Sequence, residues 1–251
     1  MQRPLSGYRT AVVTGASGGI GRAVVAELVR VGMLVHALAL PDDALDTLRA
    51  MGDVTVHGVD VRDRTALDAT LRAIDSEIDV LVNNAGIIGD LKPAQASTAE
   101  MVDALIDINL RAAVHVTLAA LPGMVARNRG HIVFTGSIAG SRPTANTAVY
   151  SATKAALQAF ADGLRMDLHG TDVRLTVLAP GRVETSLYDS ALGGHDAAVA
   201  SLYSEAAAVQ PDDIARLVGV ALSMPDHVDV TRIEVLPTRQ VFGGSQVAPT
   251  V

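Results

Sequence analysis

Tyr150 and Lys154 stand four residues apart in Tyr150-Ser151-Ala152-Thr153-Lys154. On a helix that spacing puts both side chains on one face. A cation beside a phenol favours the phenolate and pulls the tyrosine toward a pKa at which it exchanges a proton with an alcohol or a carbonyl. Ser137 lies thirteen residues earlier, at the end of an apolar run, where its hydroxyl would hydrogen-bond a reacting oxygen. Asn109 interrupts a helical stretch with a mediocre helix former, which invites a polar role. Each also has a plain structural reading: a tyrosine at a core edge beside a solvated lysine, a turn serine, an exposed helix asparagine.

A second group of residues binds rather than reacts. Thr14-Gly15-Ala16-Ser17-Gly18-Gly19-Ile20-Gly21 follows the apolar run Ala11-Val12-Val13 and opens an amphipathic segment. A strand, a glycine turn and a helix in that order offer backbone N–H groups and the positive end of the helix dipole to a pyrophosphate. The spacing G-x-x-x-G-x-G is a variant of the dinucleotide fingerprint. A plain strand–helix connection is the alternative reading of the same glycines.

The elements that must carry these groups alternate. Apolar runs beginning at Thr10, Leu34, Val54, Asp79, His131, Val173 and Arg232 predict about seven strands. Helices are predicted between them, the longest over about 98–121 and 148–169, with Asp42 and Asp63 or Thr65 as caps and Gly32 as a stop. The stretch 182–210 predicts no regular element. Strands that are continuously apolar and separated by helices imply a parallel sheet buried on both faces, hence an α/β, Rossmann-like, doubly wound fold. No repeat or linker divides the 251 residues, so one domain over 1–251 is expected. In such sheets ligands lie off the carboxyl ends of the strands. Gly15, Asp60, Asn83, Ser137 and Pro180 fall at those ends.

Composition removes several function classes. The chain carries a net charge of -7 and shows no basic patch, which argues against a nucleic-acid or anionic-membrane partner. It has no cysteine, which excludes disulfides and thiolate chemistry. Its first residues lack an apolar signal core, and no uninterrupted run approaches the ~18 apolar residues of a membrane span. A cytoplasmic protein is expected. His195 is a lone histidine without partners for a metal, and no metal site is expected.

Taken together, the motifs resemble those of the short-chain dehydrogenase/reductase family in its single-domain form, over nearly the whole chain. The glycine stretch is similar to that family's T-G-x-x-x-G-I-G, and Asn83-Asn84-Ala85-Gly86 to its N-N-A-G. Asn109, Ser137, Tyr150 and Lys154 match its catalytic tetrad, and Pro180-Gly181 with Thr185 its P-G-x-x-x-T. The resemblance implies reversible hydride transfer between a nicotinamide dinucleotide, NAD(P)H, and a small or medium carbonyl or alcohol. Tyr150 would be the general acid/base, Lys154 would lower its pKa and hold the nicotinamide ribose, Ser137 would polarise the substrate oxygen, and Asn109 would hold a relay water. Gly15, Ser17, Gly19, Ile20 and Gly21 would line the pyrophosphate, and Asp60 and Val61 the adenine. Asn83, Ala85 and Gly86 would sit under the adenosine side, and Pro180, Gly181, Val183 and Thr185 would hold the nicotinamide. It also implies a homotetramer or homodimer, and a segment over about 185–210 that covers the substrate. A dinucleotide-binding sensor of the same fold that has lost catalysis is the alternative.

The chain departs from the family at the ribose. Relatives preferring NAD place an acid at the end of the second strand, and those preferring NADP an arginine there or one residue later. This chain has Ala39-Leu40-Pro41, and Gly18 at the other common basic position. Asp42 could reach a ribose hydroxyl or cap a helix. The choice between NAD and NADP stays open at this level.

Overall fold

The apolar runs form one parallel sheet. The computed structural model describes residues 7–41, 44–74, 78–203 and 207–241. Its strands are β1 (Thr10–Thr14), β2 (Leu34–Ala39), β3 (Val54–Gly58), β4 (Val80–Asn83), β5 (Gly130–Thr135), β6 (Val173–Pro180) and β7 (Arg232–Val235). They lie in the order β3-β2-β1-β4-β5-β6-β7, every pairing parallel. The direction of winding reverses between β1 and β4. That is the switch point at which such sheets open a crevice beyond the carboxyl ends of their strands.

The helices are α1 (Gly19–Arg30), α2 (Ala44–Arg49), α3 (Arg64–Ala73), α4 (Ala99–Ile106), α5 (Ala113–Ala126), α6 (Ala148–Asp167), α7 (Asp189–Leu192), α8 (His195–Ala198) and α9 (Pro211–Ser223). On one face Val24, Val25 and Leu28 of α1 meet Ile214, Val218 and Leu222 of α9 over Val13 and Val35. On the other, Leu67, Val116, Met124 and Leu157 from α3, α5 and α6 cover Val12, Leu81, Ile132 and Leu175. With almost no aromatic bulk, the core is closed by β-branched and leucine side chains, which suit strands buried on both faces.

Local signals act where expected. The Asp63 carboxylate accepts from the Ala66 N–H at 3.0 Å and caps α3, and Gly32 ends the run after α1 with φ +86°. Asp42 and the segments 1–6 and 242–251 lie outside the described residues. Three expectations change. The helix predicted to stop at about 121 runs on to Ala126 through Pro122. Leu118 and Pro122 are both exposed, so the carbonyl that a proline deprives of its helical donor lies on the outer side. The same helix is also not regular: Asp107–Ala112 form a π-helical segment between α4 and α5. The stretch beyond Arg182 contains short helical pieces, Ser186–Tyr188, α7, α8 and a π segment Val199–Tyr203.

Among the described residues one helix, Ala99–Ala126, is long and apolar enough to cross a membrane by length and composition. Here it lies against the sheet, with Leu105, Val116, Ala120 and Met124 buried.

A buried polar network ties the amino ends of the strands. Asp79 accepts from the backbone of Arg9 (2.7 Å) and Thr10 (3.2 Å) and from the Arg129 guanidinium (2.7 Å). Arg174 reaches the carbonyls of Leu222 and Met224 at the end of α9 and the Tyr8 hydroxyl. His131, fully buried, sits 2.8 Å from the Thr176 hydroxyl. Burial first, then the neighbouring charges of Arg174 and Arg165, push its pKa down to about 3. The unfolded histidine titrates near ~6.5, so the folded state stays neutral where the unfolded chain takes a proton. Stability is full above that pH and is lost as pH falls toward 3, at up to about 1.4 kcal/mol per unit. The thermal midpoint is therefore expected to fall more between pH 7 and pH 5 in the wild type than in His131→Gln; equal losses in scanning calorimetry would refute this.

Candidate active site

The site begins where β1 ends. The Thr14 hydroxyl accepts from the N–H groups of Asn84 (3.0 Å) and Ala85 (3.1 Å), so the ends of β1 and β4 are tied across the switch point. Gly15 then takes φ +61°, and a Cβ there would lie 2.8 Å from Ala85 Cα. The Asn84 amide donates to the Gly15 carbonyl (3.1 Å) and accepts from the Thr135 hydroxyl (3.2 Å). One side chain thus spans the glycine turn, β4 and β5. At Gly19 a Cβ would meet Thr185 at 2.7 Å, so the turn and the chain after β6 face each other closely.

A cleft with a volume of about 410 Å³ runs along these strand ends. It starts at Ala39, Leu40, Asp60, Val61 and Arg62. It passes over Gly15, Ser17, Gly19 and Ile20 and along Asn84, Ala85 and Gly86. It ends at Ser137, Tyr150 and Lys154, under Pro180, Gly181, Val183 and Thr185. Three residues predicted at the site, Asn83 and Gly21 as dinucleotide contacts and Asn109 as the holder of a relay water, are not among its lining. Asn83 points into the core, where its amide donates to the Thr117 hydroxyl at 2.9 Å; its neighbour Asn84 faces the cleft instead. Strand alternation is the reason, since successive side chains point to opposite faces. Gly21 sits behind the turn and lets α1 approach it: a Cβ would fall 2.1 Å from the Gly15 carbonyl oxygen. Asn109 is buried, with its carbonyl accepting from the Ile87 N–H (2.8 Å) and its amide donating to the Ile87 carbonyl (2.9 Å) and the Thr153 hydroxyl (3.2 Å). It fastens the chain after β4 to α6. His195 pairs with Asp189 at 3.4 Å.

Tyr150 and Lys154 come from the first turns of α6, both buried, with the Lys154 ammonium 5.8 Å from the Tyr150 ring centre. Ser137 ends the chain leaving β5, its hydroxyl accepts from the Ala139 N–H at 3.1 Å, and it lines the same end of the cleft as Tyr150. Gly140 makes this possible: a Cβ there would lie 2.9 Å from the Lys154 backbone, so only glycine lets the loop rest on α6. Lys154 donates to the Thr135 carbonyl at 2.8 Å.

The structure brings these groups to one end of the cleft. In the open cleft burial raises the Tyr150 pKa, with the nearby Tyr188 adding to the rise and Ser137 opposing it. The Lys154 ammonium is buried and pushed down to about 8, and it is turned toward Thr135. The tyrosine is held as a neutral phenol. At the other end, the hydrogen bonds and charge of Arg62 hold the Asp60 carboxyl below its usual range, with a 2.6 Å contact between them.

A dinucleotide fits this cleft on the features of the chain itself. The N-terminus of α1 has no side-chain cap, leaving its N–H groups to an anion, and the glycines keep the turn bare. The fold and this arrangement define a Rossmann-type dehydrogenase. A profile of the short chain dehydrogenase family matches residues 9–193, and the chain belongs to that family. It is 45% identical over 249 residues to an uncharacterised short-chain type dehydrogenase/reductase of Sinorhizobium fredii, covering 98% of each chain. It is 37% identical over 242 residues to the NADP-dependent 3-hydroxy acid dehydrogenase of Escherichia coli K12, covering 94% of this chain and 98% of that one. A serine dehydrogenase solved in its closed form with NADP+ matches with a TM-score of 0.90 at 36% identity, over 96% of this chain and 100% of that one. The protein is an NAD(P)-dependent oxidoreductase acting on carbonyl and alcohol groups of small molecules, and nothing favours the silent sensor.

Proposed function

We propose that Tyr150 exchanges the proton with the substrate oxygen, donating it to a carbonyl in reduction and taking it from an alcohol in oxidation. The observation that carries this is the convergence of Ser137, Tyr150 and Lys154 at the end of a cleft that starts at the glycine turn. A bound nicotinamide dinucleotide supplies or accepts the hydride. The buried phenol holds its proton at the hydroxyl, which suits an acid awaiting a carbonyl. Ser137 holds the reacting oxygen from the other side. Lys154 balances the phenolate once the proton has left, and Asn109 positions α6 through Thr153 and Ile87. Gly15, Ser17, Gly19 and Ile20 take the pyrophosphate, Asp60 and Val61 the adenine, and Ala85 and Gly86 the adenosine side. Pro180, Gly181, Val183 and Thr185 take the nicotinamide end.

Ser137→Ala tests this reading. Its kcat is expected to fall roughly 10²–10³-fold, the scale of one lost donor to a developing oxyanion. The measurement is the nicotinamide absorbance over a panel of ketones and alcohols, with NADPH and NADH in parallel. An unchanged kcat in a folded variant removes Ser137 from the chemistry. NADP(H) is the preferred dinucleotide in this reading. Arg62 is the cation lining the adenosine end, and the Escherichia coli relative is NADP-dependent.

The remaining parts of the reading concern the whole chain. Residues 1–251 form one dinucleotide-binding domain with its substrate cover at about 185–210, hinged at Gly193 and Gly194, both at positive φ. The chain acts in the cytoplasm without nucleic-acid or membrane partners. It assembles as a homotetramer or homodimer through the helices around α5 and α6, where Leu118, Val125 and Met166 are exposed. Sedimentation velocity reads that state directly, and a monomer would refute it.

A further inference from the structure

We infer that the site takes a neutral, largely apolar carbonyl compound or its alcohol and excludes substrates that carry a carboxylate next to the reacting group. This rests on the reading of Tyr150 and Ser137 as the reacting end of the cleft. Tyr150 belongs to an apolar cluster with Ile88, Leu105 and Ala139, against which Ile87, Leu187 and Tyr188 pack. Of these, Ile87, Leu187 and Tyr188 line the cleft itself. A carboxylate entering that wall loses its hydration and needs a cation or several donors in return.

Among the described residues, the cations nearest the reacting end are committed elsewhere. Two line the cleft, Arg62 and Lys154. Arg62 stands at the adenosine end, paired with Asp60. Lys154 is buried and donates to the Thr135 carbonyl. Two arginines reach the neighbourhood by sequence, Arg142 after the Ser137 loop and Arg182 after Gly181. The Arg142 guanidinium is 2.6 Å from the Glu234 carboxylate, which Arg232 also contacts at 3.1 Å. Arg182 donates to the Leu202 carbonyl at 2.8 Å, and its charge acts on Tyr188 from there. Neither lines the cleft. Of the stretches outside the described residues, 42–43, 75–77, 204–206 and 242–251 contain no lysine or arginine, and 1–6 contains Arg3.

What the covering segment does supply is neutral. Tyr188 lies close enough to Tyr150 to influence its ionisation, and Ser186 lines the same cleft. Hydroxyls of this kind can donate to a second neutral oxygen, such as that of an ester or ketone, but two of them bring no charge to balance a desolvated anion. The site therefore differs in substrate charge from the relatives named for 3-hydroxy acids and serine.

The test uses ester–acid pairs that share one acyl chain. Reduction of ethyl acetoacetate is compared with that of acetoacetate, and oxidation of ethyl 3-hydroxybutanoate with that of 3-hydroxybutanoate. Each is run with both dinucleotides on the full chain. The ester is expected to exceed the acid in kcat/KM by on the order of 10²-fold or more. Acids turned over as well as or better than esters overturn the proposal and leave the oxidoreductase reading standing. Silence on every member of the pairs, from a protein that binds the dinucleotide, overturns both. Leu187→Arg, which places a cation in the wall, is expected to shrink the ester-to-acid ratio about tenfold by restoring a partner for the anion; an unchanged ratio in a folded variant shows that charge is not the filter and overturns the proposal.

Discussion

Replacing Tyr150 by phenylalanine is expected to remove measurable turnover, a loss of roughly 10²–10⁴-fold, while dinucleotide binding stays near normal. The change deletes one oxygen and keeps the ring. The ring packs with Ile88, Leu105 and Ala139, so the apolar cluster and α6 should survive it. What disappears is the proton held between Ser137 and the substrate oxygen. Because burial already raises this phenol in the open cleft, removing the hydroxyl also relieves a desolvated polar group, and the variant should be no less stable than the wild type. Circular dichroism, thermal melting and quenching or enhancement of NADPH fluorescence separate these effects. Substantial residual kcat with an intact fold would refute the assignment.

Gly21→Ala is expected to have the second large effect, and by another route. Gly21 does not line the cleft. A Cβ at this position would stand 2.1 Å from the Gly15 carbonyl oxygen and 2.7 Å from the Asn84 amide nitrogen. Both belong to the frame of the glycine turn, and the first is backbone, which cannot rotate away. The helix must withdraw from the turn or the turn must open. Overpacking of this kind costs roughly 1–3 kcal/mol, and more where backbone must move. The Asn84 bridge to Gly15 and Thr135 should break with it. We expect a lowered thermal midpoint and a loss of dinucleotide binding by isothermal calorimetry. A variant that binds NADPH or NADH with wild-type affinity would show that the turn tolerates the displacement.

Much of this site was legible from residues alone, for a physical reason. Tyr150, Lys154 and Ser137 act through short-range spacing: four residues along a helix, and a strand end followed by that helix. Such relations survive translation into three dimensions with little help from the rest of the fold. The doubly wound parallel sheet followed from the same kind of regularity, continuous apolar runs separated by helices. The failures lie where an outcome depends on facing or on burial. Asn83 and Asn84 are indistinguishable by type, and only the phase of β4 decides which one enters the cleft. Gly21 belongs to the motif yet serves helix approach rather than contact. The pKa of Tyr150 could not be read from a lysine four residues away, because in the open cleft burial dominates it and the lysine is turned toward Thr135. The helix predicted to stop at about 121 runs on past Pro122, whose exposed position removes most of the penalty. The region after Arg182 carries no clear period, so its short helical pieces left no signature.

The π segment Asp107–Ala112 also constrains how this sequence can change by insertion and deletion. A π turn is a helix carrying one residue too many. Deleting a residue between 107 and 112 would restore regular hydrogen bonding and, judged by propensity, give a better helix. The two halves would keep their facing, because the wide turn already absorbs the extra residue, so Leu105 on α4 and Val116 and Ala120 on α5 would still meet the core. What the deletion would take away is the local bulge that carries Asn109 to Ile87 and Thr153. The surplus residue is thus a local device for aiming one side chain, and its loss is expected to cost those contacts rather than the packing of the helix.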